Sequence, residues 1–175
     1  MNMRLLFEID KKDYNENGKA FVRPSARTLI IRGGRIAMIH SLKYDYYKFP
    51  GGGIEKDESG VDAAIRETAE EAGLVVKRES VREFGYVHRV QKSDMGGAEY
   101  FVQDNFYYLC DAESESVTQH LDGYEDEEHF TLEWVTPSHA IEVNATHPHG
   151  TKDVNMLTRE TKVLEILKKE GYFGK

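Results

Sequence analysis

Short apolar runs, broken by polar and glycine-bearing stretches, set the elements this chain predicts. Residues 4–9, Arg-Leu-Leu-Phe-Glu-Ile, read as an edge strand, and the polar segment after them carries an Asn17-Gly18 turn signal. Residues 26–32 and 35–41 are apolar and rich in β-formers, joined by Gly33-Gly34 as in a two-residue hairpin. Residues 46–49 form a short third strand that Pro50 and three glycines stop. A helix follows over Gly60–Ala72, with Gly73 where helices often end in a left-handed turn. Residues 81–91 and 100–111 read as longer strands around Met95-Gly96-Gly97, and residues 131–135 as another. Pro137 opens a short helix to about Asn144. Val154–Lys169 closes the chain as an amphipathic helix, with Val154, Leu157, Leu164 and Leu167 in its buried stripe. This interspersion predicts a mixed sheet with helices packed on it.

The 175 residues suffice for one domain with a proper core. No repeat, low-complexity tract or linker divides them, so a single domain over residues 1–175 is expected. A hydrophobic share of 39% and a charged share of 31% fit a soluble globular protein. No apolar run approaches the ~20 residues of a membrane helix. Residues 1–10 lack the apolar core and cleavage site of a secretion signal. Cys110 is the one cysteine, which rules out an intrachain disulfide and points to a reducing, cytoplasmic setting. The net charge is -8, from 31 acidic and 23 basic residues, and leaves no basic footprint for duplex nucleic acid. An acidic protein can bind polyphosphates where divalent cations stand between the two sets of charge. Taken alone, though, the excess acid only keeps the chain soluble.

The chemistry is concentrated in residues 51–74, Gly-Gly-Gly-Ile-Glu-Lys-Asp-Glu-Ser-Gly-Val-Asp-Ala-Ala-Ile-Arg-Glu-Thr-Ala-Glu-Glu-Ala-Gly-Leu. At about 100° per residue, Glu71 stands about +40° and Glu70 about -60° from Glu67, so three carboxylates leave one side of the helix. Val61, Ile65, Thr68 and Ala72 fall on the side expected to pack on the sheet. Three carboxylates this close repel unless neutralised. Arg66 is spaced to pair with Glu70, but one arginine cannot balance three glutamates with Glu58 upstream as a fourth. Hard divalent cations prefer such oxygen ligands, and a glycine-rich loop lets backbone approach a metal or phosphate closely. An acidic, solvated helix face is the plainer account of a lone Glu-Glu pair. The ordered combination of Pro-Gly-Gly-Gly, Glu58, Arg66-Glu67, Glu70-Glu71 and Gly73 within one short stretch argues against it.

In this register the sequence resembles the Nudix family. Its signature is Gly, five residues, Glu, seven residues, Arg-Glu, an aliphatic residue, any residue, Glu-Glu, any residue, Gly, an aliphatic residue. Gly52, Glu58, Arg66, Glu67, Glu70, Glu71, Gly73 and Leu74 fall in place, and Thr68 stands where the family has an aliphatic residue. The Thr68 methyl can still pack, and its hydroxyl can bond a carbonyl one turn back. More loosely, the resemblance extends to residues 49–55 and to Glu133-Trp134-Val135. It implies an α/β fold, a Nudix-like α/β/α sandwich with a mixed β-sheet. It also implies metal-dependent hydrolysis of a diphosphate bond in a nucleoside diphosphate linked to another moiety. Mg2+ or Mn2+ would be bound by Glu67, Glu70 and Glu71 with the Gly52 carbonyl. Arg66 would orient a neighbouring glutamate, Glu58 would support the loop–helix junction, and Gly51, Gly53 and Gly73 would shape the motif. The general base lies in the box or on a later loop. In the acid-rich segment 123–128, Glu128 is the first candidate and Glu125 the second, with a solvated loop the alternative for either.

Other residues read more simply as structure. Tyr44, Tyr46 and Tyr47 could stack on a base, but alternating aromatics usually pack a hairpin. His147 and His149 lack the companions of a metal site and suit an exposed turn. His88 and Arg89 could meet phosphates from a strand face, with solvent exposure the simpler account. Cys110 fits a small buried apolar side chain. Three classes compete: a nucleotide pyrophosphohydrolase, a non-catalytic nucleotide-sensing or partner-binding domain of the same family, and an isoprenoid diphosphate isomerase needing a catalytic cysteine. Intact box acids favour the first. The expected partners are a nucleotide-type small molecule and a second copy of the chain, with neither duplex nucleic acid nor membrane.

Overall fold

The computed structural model describes residues 2–174, so Met1 and Lys175, the ends of the expected domain, lie outside the described residues. Strands β1 (Leu5–Asp10), β2 (Ala20–Val22), β3 (Ser25–Leu29), β4 (Ile31–Arg32), β5 (Arg35–Ser41), β6 (Tyr46–Lys48) and β7 (Gly51–Gly53) precede helix α1 (Gly60–Ala72). Strands β8 (Leu74–Val76), β9 (Arg82–Lys92), β10 (Tyr100–Leu109) and β11 (Ala112–Ser116) follow. Helix α2 (Gly123–Glu127), strand β12 (Phe130–Val135) and helices α3 (Pro137–Thr146) and α4 (Val154–Lys169) complete the order.

One sheet runs β1-β9-β10-β3-β7, with β2 also on β10; a second runs β12-β5-β4, with β6 on β5; β11 and β8 pair separately. Parallel β1/β9 and β10/β3 pairs beside antiparallel β9/β10 and β3/β7 make the first sheet mixed. Helix α1 lies on β3 and β7, and α4 packs with α3, β6 and β1, which completes the α/β/α sandwich. Leu29, Phe49, Tyr107, Val163, Leu164 and Leu167 lie in the largest core cluster, while Ala26 packs with Ala63 and Ala64 under α1. Small residues there let helix and sheet approach closely.

Gly33 and Gly34 both adopt positive φ, 54° and 74°, as a two-residue hairpin turn with right-handed strand twist requires. The expected strand over residues 26–32 is divided. Its first half joins the larger sheet, its second half the smaller one, and buried Ile30 is the crossing point. The three glycines expected to stop a strand instead form β7, because Gly52 lies in register with Ala26 and Pro50 O accepts from Thr28 N at 3.0 Å. Val154 is not in the buried stripe of α4: it is 69% exposed at the first position of the helix. Arg159 and Glu160 are buried on that helix instead.

Candidate active site

Helix α1 is fixed at both ends. Ser59 caps its first turn by accepting from Asp62 N at 3.0 Å. Gly73 ends it at φ 67°, and a β-carbon there would also stand 2.5 Å from Val117 O, so only glycine fits. The chain after β11 returns to this end: Val117 N donates to Gly73 O, His120 N to Glu70 O, and Gln119 Nε2 to Glu71 O. These bonds satisfy the last carbonyls of α1 and bring α2 across from it.

The glycine strand β7 is the edge against which the acids stand. Alternation along β7 sends Gly52 toward α1 and its two neighbours to the opposite face. A β-carbon on Gly52 would meet Glu67 Cδ at 2.5 Å, one on Gly51 Arg27 Cγ at 2.8 Å, and one on Gly53 Arg23 Nε at 2.9 Å. Gly51, at φ 147°, has the further constraint of Ala26 O 2.2 Å from that point. Without side chains, β7 thus separates Glu67 from Arg23 and Arg27 by little more than the thickness of a backbone. A cleft of about 410 Å3 spans both faces, lined among others by Glu67, Lys48, Glu125, Arg23, Arg27 and Arg89.

The three box glutamates have distinct surroundings. Glu71 is 1% exposed, receiving Lys48 Nζ at 2.6 Å and Gly51 N at 3.2 Å. Burial pushes its carboxyl up to about 7, with the Lys48 ammonium pulling the other way. Glu67 accepts from Arg66 Nη1 at 2.9 Å, and burial raises its pKa. Glu70 is more open and takes the same Nη1 at 3.3 Å. Arg66 also forms a two-point pair with Glu58, Nε to Oε1 at 2.8 Å and Nη2 to Oε2 at 3.0 Å, and reaches Gly53 O at 3.2 Å. Glu58 Oε2 accepts Glu55 N at 2.9 Å, so this pair ties the loop to the helix. These bonds hold the Glu58 carboxyl below its ordinary range.

A hard divalent cation matches this donor set in kind, since every candidate ligand is oxygen. Among the described residues, no three acids, histidines or cysteines converge on one point, because Arg66 and Lys48 draw the carboxylates apart. Glu67 Oε2 and Glu70 Oε1 accept no hydrogen bond from the described residues and remain open to a cation. The bare backbone at Gly52 makes room for the Glu67 carboxylate, and burial, with Glu70 nearby, raises its pKa. The donor set thus fits such an ion in kind, with Glu67 and Glu70 each offering an oxygen that Arg66 does not take.

The two later acids separate clearly. Glu125 lines the cleft, and its Oε2 accepts Asp122 N at 2.8 Å, a capping bond at the start of α2. It is close enough to Glu71 to contribute to that carboxyl's upward shift. Glu128 does not line the cleft: its Oε2 accepts Tyr46 OH at 2.7 Å and Ser41 Oγ at 3.0 Å, and its other oxygen pairs with Lys152. The Asp122-x-x-Glu125 spacing, a helix-start pattern, was the available signal for α2 and for Glu125.

Tyr46 and Tyr47 are buried in packing, and the Thr68 hydroxyl bonds Thr28 Oγ1 at 2.8 Å, not a carbonyl one turn back, because the sheet supplies a nearer partner. His147 pairs with Asp45, and His149 with the Tyr44 and Asn144 carbonyls. His88 pairs with Asp104, whereas Arg89, expected in solvent, is buried in the cleft beside Gln91 and Asp153. Cys110 is buried as an apolar neighbour of Ile30 and Ala112, and burial pushes its thiol up to about 12. No helix among the described residues is long and apolar enough to cross a membrane.

A sequence model of the NUDIX domain matches residues 22–157. Among solved structures, a NUDIX hydrolase from Nitrosomonas europaea superposes with a TM-score of 0.57 at 16% identity, covering 82% of this chain and 90% of that one. At that identity the likeness concerns the fold alone. No curated protein matches the sequence.

Proposed function

The chain belongs to the Nudix family, a hydrolase acting on phosphoric anhydride bonds, and from that premise we propose that it cleaves the diphosphate of a nucleoside diphosphate linked to another moiety. In this reading Mg2+ or Mn2+ would be held by Glu67 and Glu70 with the Gly52 carbonyl, and by Glu71 through the lone pairs that Lys48 and Gly51 N leave. A bound divalent cation supplies charge neutralisation at the phosphate oxygens and acidifies a water. Arg66 sets the direction of Glu67 and Glu70, and Glu58 anchors Arg66. Lys48 and Gly51 N orient Glu71. Glu125 Oε1, whose companion oxygen is committed to Asp122, takes the proton of the attacking water. Glu125 replaces Glu128 in this role because it faces the cleft. Water then attacks one phosphorus, and the bond to the bridging oxygen breaks, releasing the other phosphate.

The supporting observation is the Glu67 carboxylate in the space that a Gly52 side chain would fill, on the same cleft as Glu125. A hydrolysis panel of sugar nucleotides, dinucleoside polyphosphates and nucleoside triphosphates, with Mg2+, Mn2+ or chelator, tests it. Products identified by mass in 18O-labelled water locate the bond. Metal-dependent turnover lowered about 100-fold or more in Glu67→Gln is expected. Ligand-induced melting shifts with no turnover on any substrate would move the reading to a nucleotide-sensing domain.

A further inference from the structure

We propose that Arg27, with Arg23 beside it, binds a phosphate of the substrate on the face of β7 opposite the acids. The identity of the anion as a substrate phosphate rests on the hydrolase reading. The binding site itself rests on the side chains.

Every other deeply buried cation described here has an acid partner where Arg27 has none. Lys48 meets Glu71, Arg89 meets Asp153, and Arg159 meets Glu160 at 2.5 Å. Arg27 is 8% exposed and forms no salt bridge with any described residue. Of its three nitrogens, only Nη1 donates within the protein, at the long distances of 3.3 Å to Phe49 O and 3.5 Å to Gly51 O. Nε has no partner, and Nη2 donates to no described protein atom. A guanidinium carries five N–H donors in a fork that matches phosphate, and burying one uncompensated is costly. Natural sequences tolerate such a group where a ligand completes it.

The surroundings agree. Tyr107 lies in register with Arg27 on β10, and its hydroxyl is also buried without a partner. The remaining unpartnered buried polar atom among the described residues is Arg159 Nε, from a side chain close enough to Tyr107 to interact with it electrostatically. Arg27 and Arg159 both act electrostatically on Tyr107, so the three unsatisfied groups share one neighbourhood. Arg23 stands two β7 positions along, about 7 Å by strand geometry, against Gly53. No described acid bridges it either. The pair can hold anionic oxygens on one face while the glutamates attend to the other, so a phosphate chain crossing the bare glycine edge meets both.

The test is calorimetric binding of inorganic pyrophosphate to the full chain at low ionic strength in chelator, with wild type, Arg27→Met and Arg27→Lys. Wild type should bind, Arg27→Met should lose at least tenfold in affinity, and its melting temperature should hold or rise because an unpaired buried charge has gone. Arg27→Lys keeps the charge and loses the fork, and should bind several-fold more weakly. Equal affinity in wild type and either folded variant, no binding by wild type, or a lower melting temperature in Arg27→Met would overturn the assignment. Pyrophosphate binding through Arg27 in a protein that turns over no nucleotide would leave this site standing and sink the hydrolase reading.

Discussion

The carboxylate carbon of Glu67 lies 2.5 Å from the point where a β-carbon on Gly52 would stand. The acid and the glycine therefore share one volume, and the side chain absent from β7 is what admits the acid to the cleft. Gly52→Ala should displace Glu67 and lower metal-dependent turnover about 100-fold, with an overpacking cost of about 1–3 kcal/mol. Steady-state kinetics beside urea denaturation separate the two effects. An alanine variant with wild-type kcat would show that Glu67 does not need that space.

Among the described residues, Lys48 is the one cation bonded to the buried Glu71 carboxylate. Lys48→Met should cost about 3–5 kcal/mol at pH 8, since it leaves a buried carboxylate unpaired. Lys48→Met with Glu71→Leu should recover most of that loss. The pH sign follows from burial, which raises the folded pKa of Glu71 from an ordinary 4.5 to about 7 even beside Lys48. Such a carboxyl opposes folding increasingly as pH rises between those values, so the deficit of Lys48→Met should shrink toward pH 5. A deficit independent of pH would mean that Glu71 is not the group left behind.

Glu125 and Glu128 are three residues apart and differ in what they touch. Glu125→Gln keeps an oxygen for Asp122 N, so kcat should fall about 100-fold or more with little change in melting temperature. Glu128→Gln weakens contacts with Tyr46, Ser41 and Lys152 and should cost about 1–3 kcal/mol, with kcat near wild type in the folded protein. Paired thermal melts and kinetics check both. The reverse pattern would return the base role to Glu128.

Cys110 should resist alkylation in the native protein. Burial raises its thiol from the ordinary 9.0 to about 12, so at pH 8 the reactive thiolate is scarce as well as covered. Labelling by iodoacetamide should be slow when folded, fast in denaturant, and quicker as pH approaches the folded pKa. The protonated thiol suits the fold below the unfolded value, and that advantage is lost as pH rises through the folded one. Cys110→Ala should leave hydrolysis nearly intact. Rapid native labelling or lost turnover would revive the isomerase chemistry that requires a cysteine.

Much of this was legible in the chain itself. The bounds of α1 followed from apolar spacing and the glycine at its end, and those of α4 from its apolar spacing. The two-residue hairpin followed from Gly33-Gly34, and the membership of the box acids from their spacing. Each is a local pattern, decided within a few turns or one strand period. The transfer of the chain between sheets at Ile30 was not legible, because both halves of residues 26–32 have the same β-forming character. Nor was the strand in three glycines, since β7 exists through its pairing with β3 and not through any propensity of its own.

By itself the sequence determined which residues could carry the chemistry: an ordered set of carboxylates on one helix beside a glycine turn. Tertiary structure alone decided how they are divided among partners. It buried Glu71 against Lys48, placed Glu67 over Gly52, turned Glu125 into the cleft and Glu128 away from it, and left Arg27 without an acid. The physical reason is separation along the chain. Helical phase fixes where neighbours in sequence point, whereas desolvation and charge pairing depend on residues that only the folded sheet brings within a few ångströms.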